Sequence, residues 1–307
     1  MSRFQIRVPA TSANLGPGFD SVGIALSKYV TLDCEPAEEW HFSVPAEDRE
    51  HIPSDKRNLI YKTALAAAQT RGFDSLPPTH VTLTNDVPVA RGLGSSSTAV
   101  VGGIELADQL LDLELTRYEK FKIACDIEGH PDNVGPAVYG GIMVSNYDGE
   151  HLDYVHFTED LDTLTWLSVV PDYHLETEKA RSILPLEIDY KEGVRSSSRA
   201  NVLVAALASK DWALAGKMMK NDQWHQPYRK MLIPGFDAVT EVLEGEQSLG
   251  YYISGAGPTM VAVFDEWTKE KERRLQNKLS SYTVEALAVE LDGVTTIQKN
   301  EVPAAES

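Results

Sequence analysis

The chain has 307 residues, 42% of them hydrophobic, which suits about two domains with buried cores. Its 46 acidic against 28 basic residues give a formal net charge of −18. That field repels nucleic acid and anionic membranes, so an anionic ligand needs a local pocket of positive ends.

Neither cysteine, Cys34 or Cys125, has a CxxC or metal-ligand spacing, and the N-terminus lacks the basic-then-apolar layout of a secretory signal. No apolar run reaches the roughly 18 residues of a membrane span. A reduced cytoplasm is expected.

Phe4, Ile6 and Val8 alternate with polar neighbours, the period of a half-buried strand, and the Gly- and Pro-rich stretch 9–18 reads as a loop after it. Strands are expected at 29–34, 40–44 and 80–84, with a helix at 58–70 between the last two. Helices follow at 95–113 and 116–128, the second stopping at Gly129, and a strand returns at 141–146. The acidic segment 147–162 reads as a linker. Beyond it 166–170 reads as a buried strand, followed by helices at 199–209, 211–219 and 238–243. Strands at 250–254 and 259–264, a helix at 266–279 and a last strand at 284–291 complete the pattern. This order resembles a split βαβ sheet with helices on one face. The class is α+β, with domains at 1–160 and 161–300 and a disordered tail at 301–307.

The strongest local signal is the run Pro88, Val89, Ala90, Arg91, Gly92, Leu93, Gly94, Ser95, Ser96, Ser97, Thr98, which leads straight into a helix. Glycines let the backbone curl around a ligand, and the free N–H groups of a first helical turn bind an anion. The hydroxyls add donors, of which one caps the helix and another can ligate a metal ion. No Lys-Ser/Thr follows the second glycine, so this is not a P-loop. A glycine loop with a serine cap is common by itself, but two further loops accompany it. Pro9 to Asp20, PATSANLGPGFD, follows the first strand, and ISGAGPT at 253–259 joins two others.

These three segments resemble, in order and spacing, the three signature motifs of the GHMP kinases. The resemblance runs from Phe4 to about Leu291. It implies a ribosomal-protein-S5-like N-terminal domain and a ferredoxin-like C-terminal domain, with the second motif around the phosphates of ATP. Glu128-Gly-His-Pro-Asp-Asn-Val-Gly-Pro136 with Gly140-Gly141, the segment 175–185 and the segment 228–235 are similar to those of the homoserine kinases within this superfamily. Carried over, Asn14, Asp20, Asn133, Arg181 and Arg229 contact L-homoserine, Asn58 lies near adenine, and Thr177 lies near the reaction centre. Two arginines suit a carboxylate, and Asp20 suits an ammonium. Mg²⁺ is expected on Glu128 and on Ser97 or its neighbour Ser96. Mevalonate-type relatives hold an aspartate base where this chain has Asn133, which as a neutral amide can only orient the hydroxyl. His130 and Asp132 are read as structural. A homodimer is what the family implies. Another GHMP small-molecule kinase and a non-catalytic sensor of the same fold stay open as alternatives.

Overall fold

The computed structural model describes residues 3–299, and the expected tail at 301–307 lies outside them. Strand β1 (Arg3–Ala13) runs on through half of the stretch expected to be a loop. It can do so because Pro9, which has no N–H to give, falls where the register with β2 (Val22–Pro36) shifts. Along β1 the side chains of Phe4, Ile6 and Val8 are buried, whereas Arg3 and Arg7 are exposed. β2 is the spine of the first sheet. One side pairs with β1, and the other is shared by two strands laid end to end. Residues 30–36 meet β4 (Thr79–Asn85), and residues 22–24 meet β5 (Ile142–Tyr147). The short β3 (His41–Ser43) adds to β4 in parallel.

Over this sheet lie α1 (Leu59–Gln69), α2 (Ser95–Leu111), α3 (Arg117–Glu128) and the short α4 (Val134–Tyr139). Helix α3 is bounded as its sequence suggests, by a Thr116/Glu119 capping box and by Gly129 in a left-handed stop. The segment 147–162 is not a linker. The Asp148 carboxylate accepts the N–H groups of Glu150 and His151 at 2.9 and 2.7 Å, turning the chain into β6 (Leu152–Phe157) against β5. As an edge strand with Asp153, Tyr154 and Val155 all exposed, β6 lacks the alternation that marks a strand.

The second sheet is built from β7 (Thr165–Pro171), β8 (Gly250–Ile253), β9 (Met260–Phe264) and β10 (Tyr282–Leu287). Its spatial order is β10-β7-β9-β8, antiparallel throughout, the split βαβ arrangement expected from the sequence. Between β7 and β8 run α5 (Thr177–Ser182), α6 (Tyr190–Ala208), α7 (Trp212–Lys220), α8 (Gln226–Arg229) and α9 (Phe236–Gly245). After β9 comes α10 (Lys269–Lys278). Helix α6 starts well before residue 199, capped by the Asp189 carboxylate on the Lys191 N–H, because its serines 196–198 dilute the apolar period.

The strand expected at 284–291 is divided. β10 ends at Leu287, Val289 makes a lone bridge to Leu26, and β11 (Thr295–Lys299) returns to the first sheet beside Arg3–Arg7 of β1. Thr296 on β11 donates to Glu105 of α2 at 2.8 Å, and Glu105 with Asp108 grips Lys120 of α3, each at 2.6 Å. All three charged groups are largely out of water. Removing the one cation leaves two buried carboxylates unpaired, so Lys120→Ala is expected to cost about 3–5 kcal/mol in chemical denaturation. A change under about 1 kcal/mol sinks that account.

Candidate active site

One cleft of about 360 Å³ opens between the two sheets, and all three glycine-rich segments contribute to its wall. Their meeting point is a chain of hydroxyls. Ser254 of the third segment donates to the carbonyl of Gly92 in the second, and its oxygen lies 2.7 Å from Ser12 Oγ of the first. Ser12 Oγ in turn lies 2.9 Å from Tyr252 OH. Each hydroxyl has one proton, so the direction is set: Tyr252 donates to Ser12, Ser12 to Ser254, and Ser254 to Gly92. Burial raises the Tyr252 phenol, which keeps it the first donor. Gly92 has φ +82°, and a Cβ there would stand 2.4 Å from the Ser254 carbonyl oxygen. No side chain fits.

Gly94 is the N-cap of α2, with φ +72° and no side-chain cap, and no acidic residue occupies the first turn. A Cβ on Gly94 would meet Thr11 Oγ1 at 2.1 Å. The amides of Ser95, Ser96 and Ser97 therefore open an uncapped positive end on the cleft, suited to phosphate oxygens. Of the run 88–98, the cleft is lined by Val89 to Gly92 and Gly94 to Thr98. Leu93 is buried in the core instead, and Pro88 is not part of the wall.

The first segment turns sharply at 14–21, with Asn14, Leu15 and Asp20 at positive φ. Asn14 holds this turn: its Oδ1 accepts the Asp20 N–H at 3.0 Å and its Nδ2 donates to the Gly255 carbonyl at 3.1 Å. Asp20 takes both Nη groups of Arg181 at 3.0 Å. Arg229 is buried, donating to the carbonyls of Gly255 at 2.7 Å and Ala180 at 3.2 Å. Burial lowers its guanidinium to about 10. Burial acts on Arg181 too, but the hydrogen bonds and charge of Asp20 outweigh it and raise that group.

Asn133, the N-cap of α4, accepts from Thr11 Oγ1 at 2.9 Å through its Oδ1. Ser96 Oγ donates to Glu128 Oε1 at 2.6 Å. The serine paired with that carboxylate is thus Ser96, while Ser97 is buried under the helix start. Thr177, at the start of α5, lines the cleft with Arg181. Asn58 lines it as well, but its side chain is spent on the N-cap of α1, accepting from the Ile60 N–H at 2.9 Å and donating to the Pro53 carbonyl at 2.8 Å.

Other lining residues had no candidate role in the sequence. Val30, Ile52 and Leu83 form an apolar wall from three distant segments, which no local pattern announces. Leu175 and Ala256 lie inside quoted segments, 175–185 and 253–259, but were given no role of their own. His130 and Asp132, read as structural, also reach the cleft, joined at 2.7 Å.

The chain matches the GHMP kinases N-terminal domain over residues 58–141 and the GHMP kinases C-terminal domain over residues 203–285. It is 43% identical over 297 residues to a homoserine kinase of Halalkalibacterium halodurans, covering 95% of this chain and 94% of that one. To a homoserine kinase of Streptococcus mutans it is 42% identical over 292 residues, with the same coverage of 95% and 94%. The crystal structure of homoserine kinase from Cytophaga hutchinsonii superposes with a TM-score of 0.84 at 26% identity, over 97% of this chain and 98% of that one.

Burial opposes protonation of His130, but the hydrogen bond and charge of Asp132, with Asp20 and Glu128 beyond, prevail and raise the imidazole. A raised folded value means that the stability from this pair is full below the unfolded pKa and is lost as pH rises through the folded one. In Asp132→Asn only burial and the weaker charges remain. An NMR titration of the His130 ring is then expected to move from above the ordinary value of about 6.5 to below it. An unmoved midpoint would show that Asp132 does not govern it.

Proposed function

The chain belongs to the homoserine kinases of the GHMP superfamily, and we propose that its cleft transfers the γ-phosphoryl group of ATP to the side-chain hydroxyl of L-homoserine. The product is O-phospho-L-homoserine, an intermediate of threonine biosynthesis. One observation carries the reading: an uncapped helix N-terminus shares the cleft with the Asp20 carboxylate and the Arg181 and Arg229 guanidinium groups. Such a site suits a polyphosphate beside a zwitterion.

On this reading Gly92, Gly94 and the first turn of α2 hold the phosphates, and the apolar wall of Val30, Ile52 and Leu83 takes the adenine ring. Asn58 shapes that end through the helix it caps. Asp20 receives the homoserine ammonium, Arg181 and Arg229 its carboxylate, and Thr177 borders the transferred group. The P–O bond to ADP breaks as the bond to the hydroxyl oxygen forms, and the hydroxyl proton leaves. Asn133, its Oδ1 already satisfied by Thr11, has its N–H donors left to orient that hydroxyl. A loose transition state needs little help from a base, so the proton leaves late, to a phosphate oxygen.

A hydroxyl and a carboxylate, Ser96 or Ser97 with Glu128, form an all-oxygen donor set that fits Mg²⁺. The remaining ligands of such an ion would be phosphate oxygens and water. Bound there, Mg²⁺ neutralises charge on the β- and γ-phosphates.

We also assign the two domains to 1–160 and 161–300, with β11 crossing back, and place the enzyme in the cytoplasm as a homodimer. Free, buried Cys34 and Cys125 support the first location, and the exposed Leu186, Tyr190 and Val194 support a second copy.

Arg229→Ala or Arg181→Ala is expected to raise the homoserine KM roughly ten- to hundredfold, with the ATP KM little changed, because each loses a charge-assisted bond to an anion. Steady-state kinetics with each substrate varied tests this, and equal losses for both substrates would point to a structural role. Gly94→Val is expected to do the opposite, weakening ATP far more than homoserine. Calorimetric titration of a folded variant that binds ATP normally would remove the loop from the phosphate site.

A further inference from the structure

His225 is fully buried beside the cleft, yet no step above uses it. It stands just before α8, and its place is fixed from below. The buried Asp222 carboxylate accepts the N–H groups of Trp224, His225 and Gln226 at 2.8, 3.0 and 2.7 Å. The Gln226 side chain then ties the segment to Met219 and to the N–H of Ile253 on β8, at 3.0 and 2.7 Å. The backbone that carries the ring is thus fixed.

Its two nitrogens face different partners. Nδ1 lies 3.4 Å from Arg229 Nη1, and Nε2 lies 3.1 Å from the carbonyl oxygen of Gly16. A guanidinium only donates and a carbonyl only accepts, so Nδ1 is the acceptor and the ring proton sits on Nε2. Burial lowers this imidazole to about 4, which keeps it neutral and in that tautomer across the working pH range. Phe19 closes the arrangement: its ring stacks on His225 at 5.3 Å, and the Arg229 guanidinium sits 5.1 Å from the same ring. One imidazole thus touches Arg229 and two residues of the turn that presents Asp20.

We propose that His225 is a positioning residue that fixes where the Arg229 guanidinium stands relative to Asp20, and so sets the spacing of the two charges that an α-amino acid must match. The inference rests on the reading that Asp20 and Arg229 hold the two ends of homoserine. It differs from a plain core histidine in acting on one substrate only.

The test is a double-mutant cycle on the full chain. His225→Leu is expected to raise the homoserine KM about tenfold while kcat and the ATP KM stay within about twofold, and to add less than about twofold in an Arg229→Ala background. His225→Asn, whose side-chain oxygen takes the place of Nδ1, is expected to restore most of the lost affinity. His225→Gln, whose amide reaches the Nε2 position and keeps a donor toward Gly16 but leaves no acceptor at the Nδ1 position facing Arg229, is expected to restore less. Should the leucine variant fail to fold, the Asn and Gln variants carry the test, and the reverse order of their homoserine KM values overturns the inference. Equal losses of His225→Leu in both backgrounds overturn it, as does a joint loss of kcat and ATP affinity. A raised homoserine KM in Arg229→Ala with an unmoved one in His225→Leu removes the positioning role alone. An unmoved KM in Arg229→Ala removes the substrate reading beneath it as well.

Discussion

The hydroxyl chain from Tyr252 through Ser12 and Ser254 to the Gly92 carbonyl is the constraint on which the cleft depends. It joins the end of β1, the loop before α2 and the loop between β8 and β9, which come from opposite ends of the sequence. Because Tyr252 starts the chain as a donor and each serine hydroxyl gives one proton and receives one, the chain has a single direction and no spare member. Buried hydrogen bonds of this kind contribute little net stability when complete, but a missing member leaves a polar group unsatisfied at a cost of about 1–3 kcal/mol. Gly92 has no Cβ to keep the Ser254 carbonyl away, so backbone and hydroxyl meet at the same point. Where α2 aims its N-terminus follows from that contact.

Charge is then handled locally. A chain with a net charge of −18 cannot draw in a polyphosphate by its overall field. On the proposed assignment the attraction comes from short-range donors: the first amides of α2, and Arg181 and Arg229 on the substrate side. The two arginines are tuned differently by their surroundings. Arg181 lies against Asp20 and has its charge reinforced, whereas Arg229 is desolvated among carbonyls, which an incoming carboxylate would compensate.

Much of this was legible in the residues, for definite reasons. Gly92, Gly94 and the serine run announce an uncapped helix N-terminus open on the cleft, since that feature lives in consecutive backbone atoms. The split βαβ order was legible because β7, β8 and β9 are short, strongly apolar runs between clear breaks. Elements without a local signature were not. β6 is an edge strand with consecutive exposed residues, α6 hides behind its serines, and β11 gains its meaning only from pairing with β1 far away in sequence. The same limit applies to the site. Asn58, expected near adenine, lines the cleft while its side chain caps α1, and the wall of Val30, Ile52 and Leu83 is assembled from separate strands and loops. His225 belongs with these, because a histidine in a loop carries no sign of the carbonyl and guanidinium it will meet.

On the proposed mechanism, the amide at Asn133 gives this rigidity its purpose. An aspartate there could take the hydroxyl proton, but it would also set a negative charge beside the anionic phosphates. An amide avoids that repulsion and gives up base catalysis, so rate must come from alignment and from stabilising charge on the transferred group. Alignment of that quality is lost with displacements near 1 Å. The groups that would touch substrate are accordingly not on free loops: Asn133 is held by Thr11, Asp20 by Asn14 and Arg181, and Arg229 by Gly255, Ala180 and His225. A kinase that works without a base, as proposed for this one, would need this second set of bonds as much as the first.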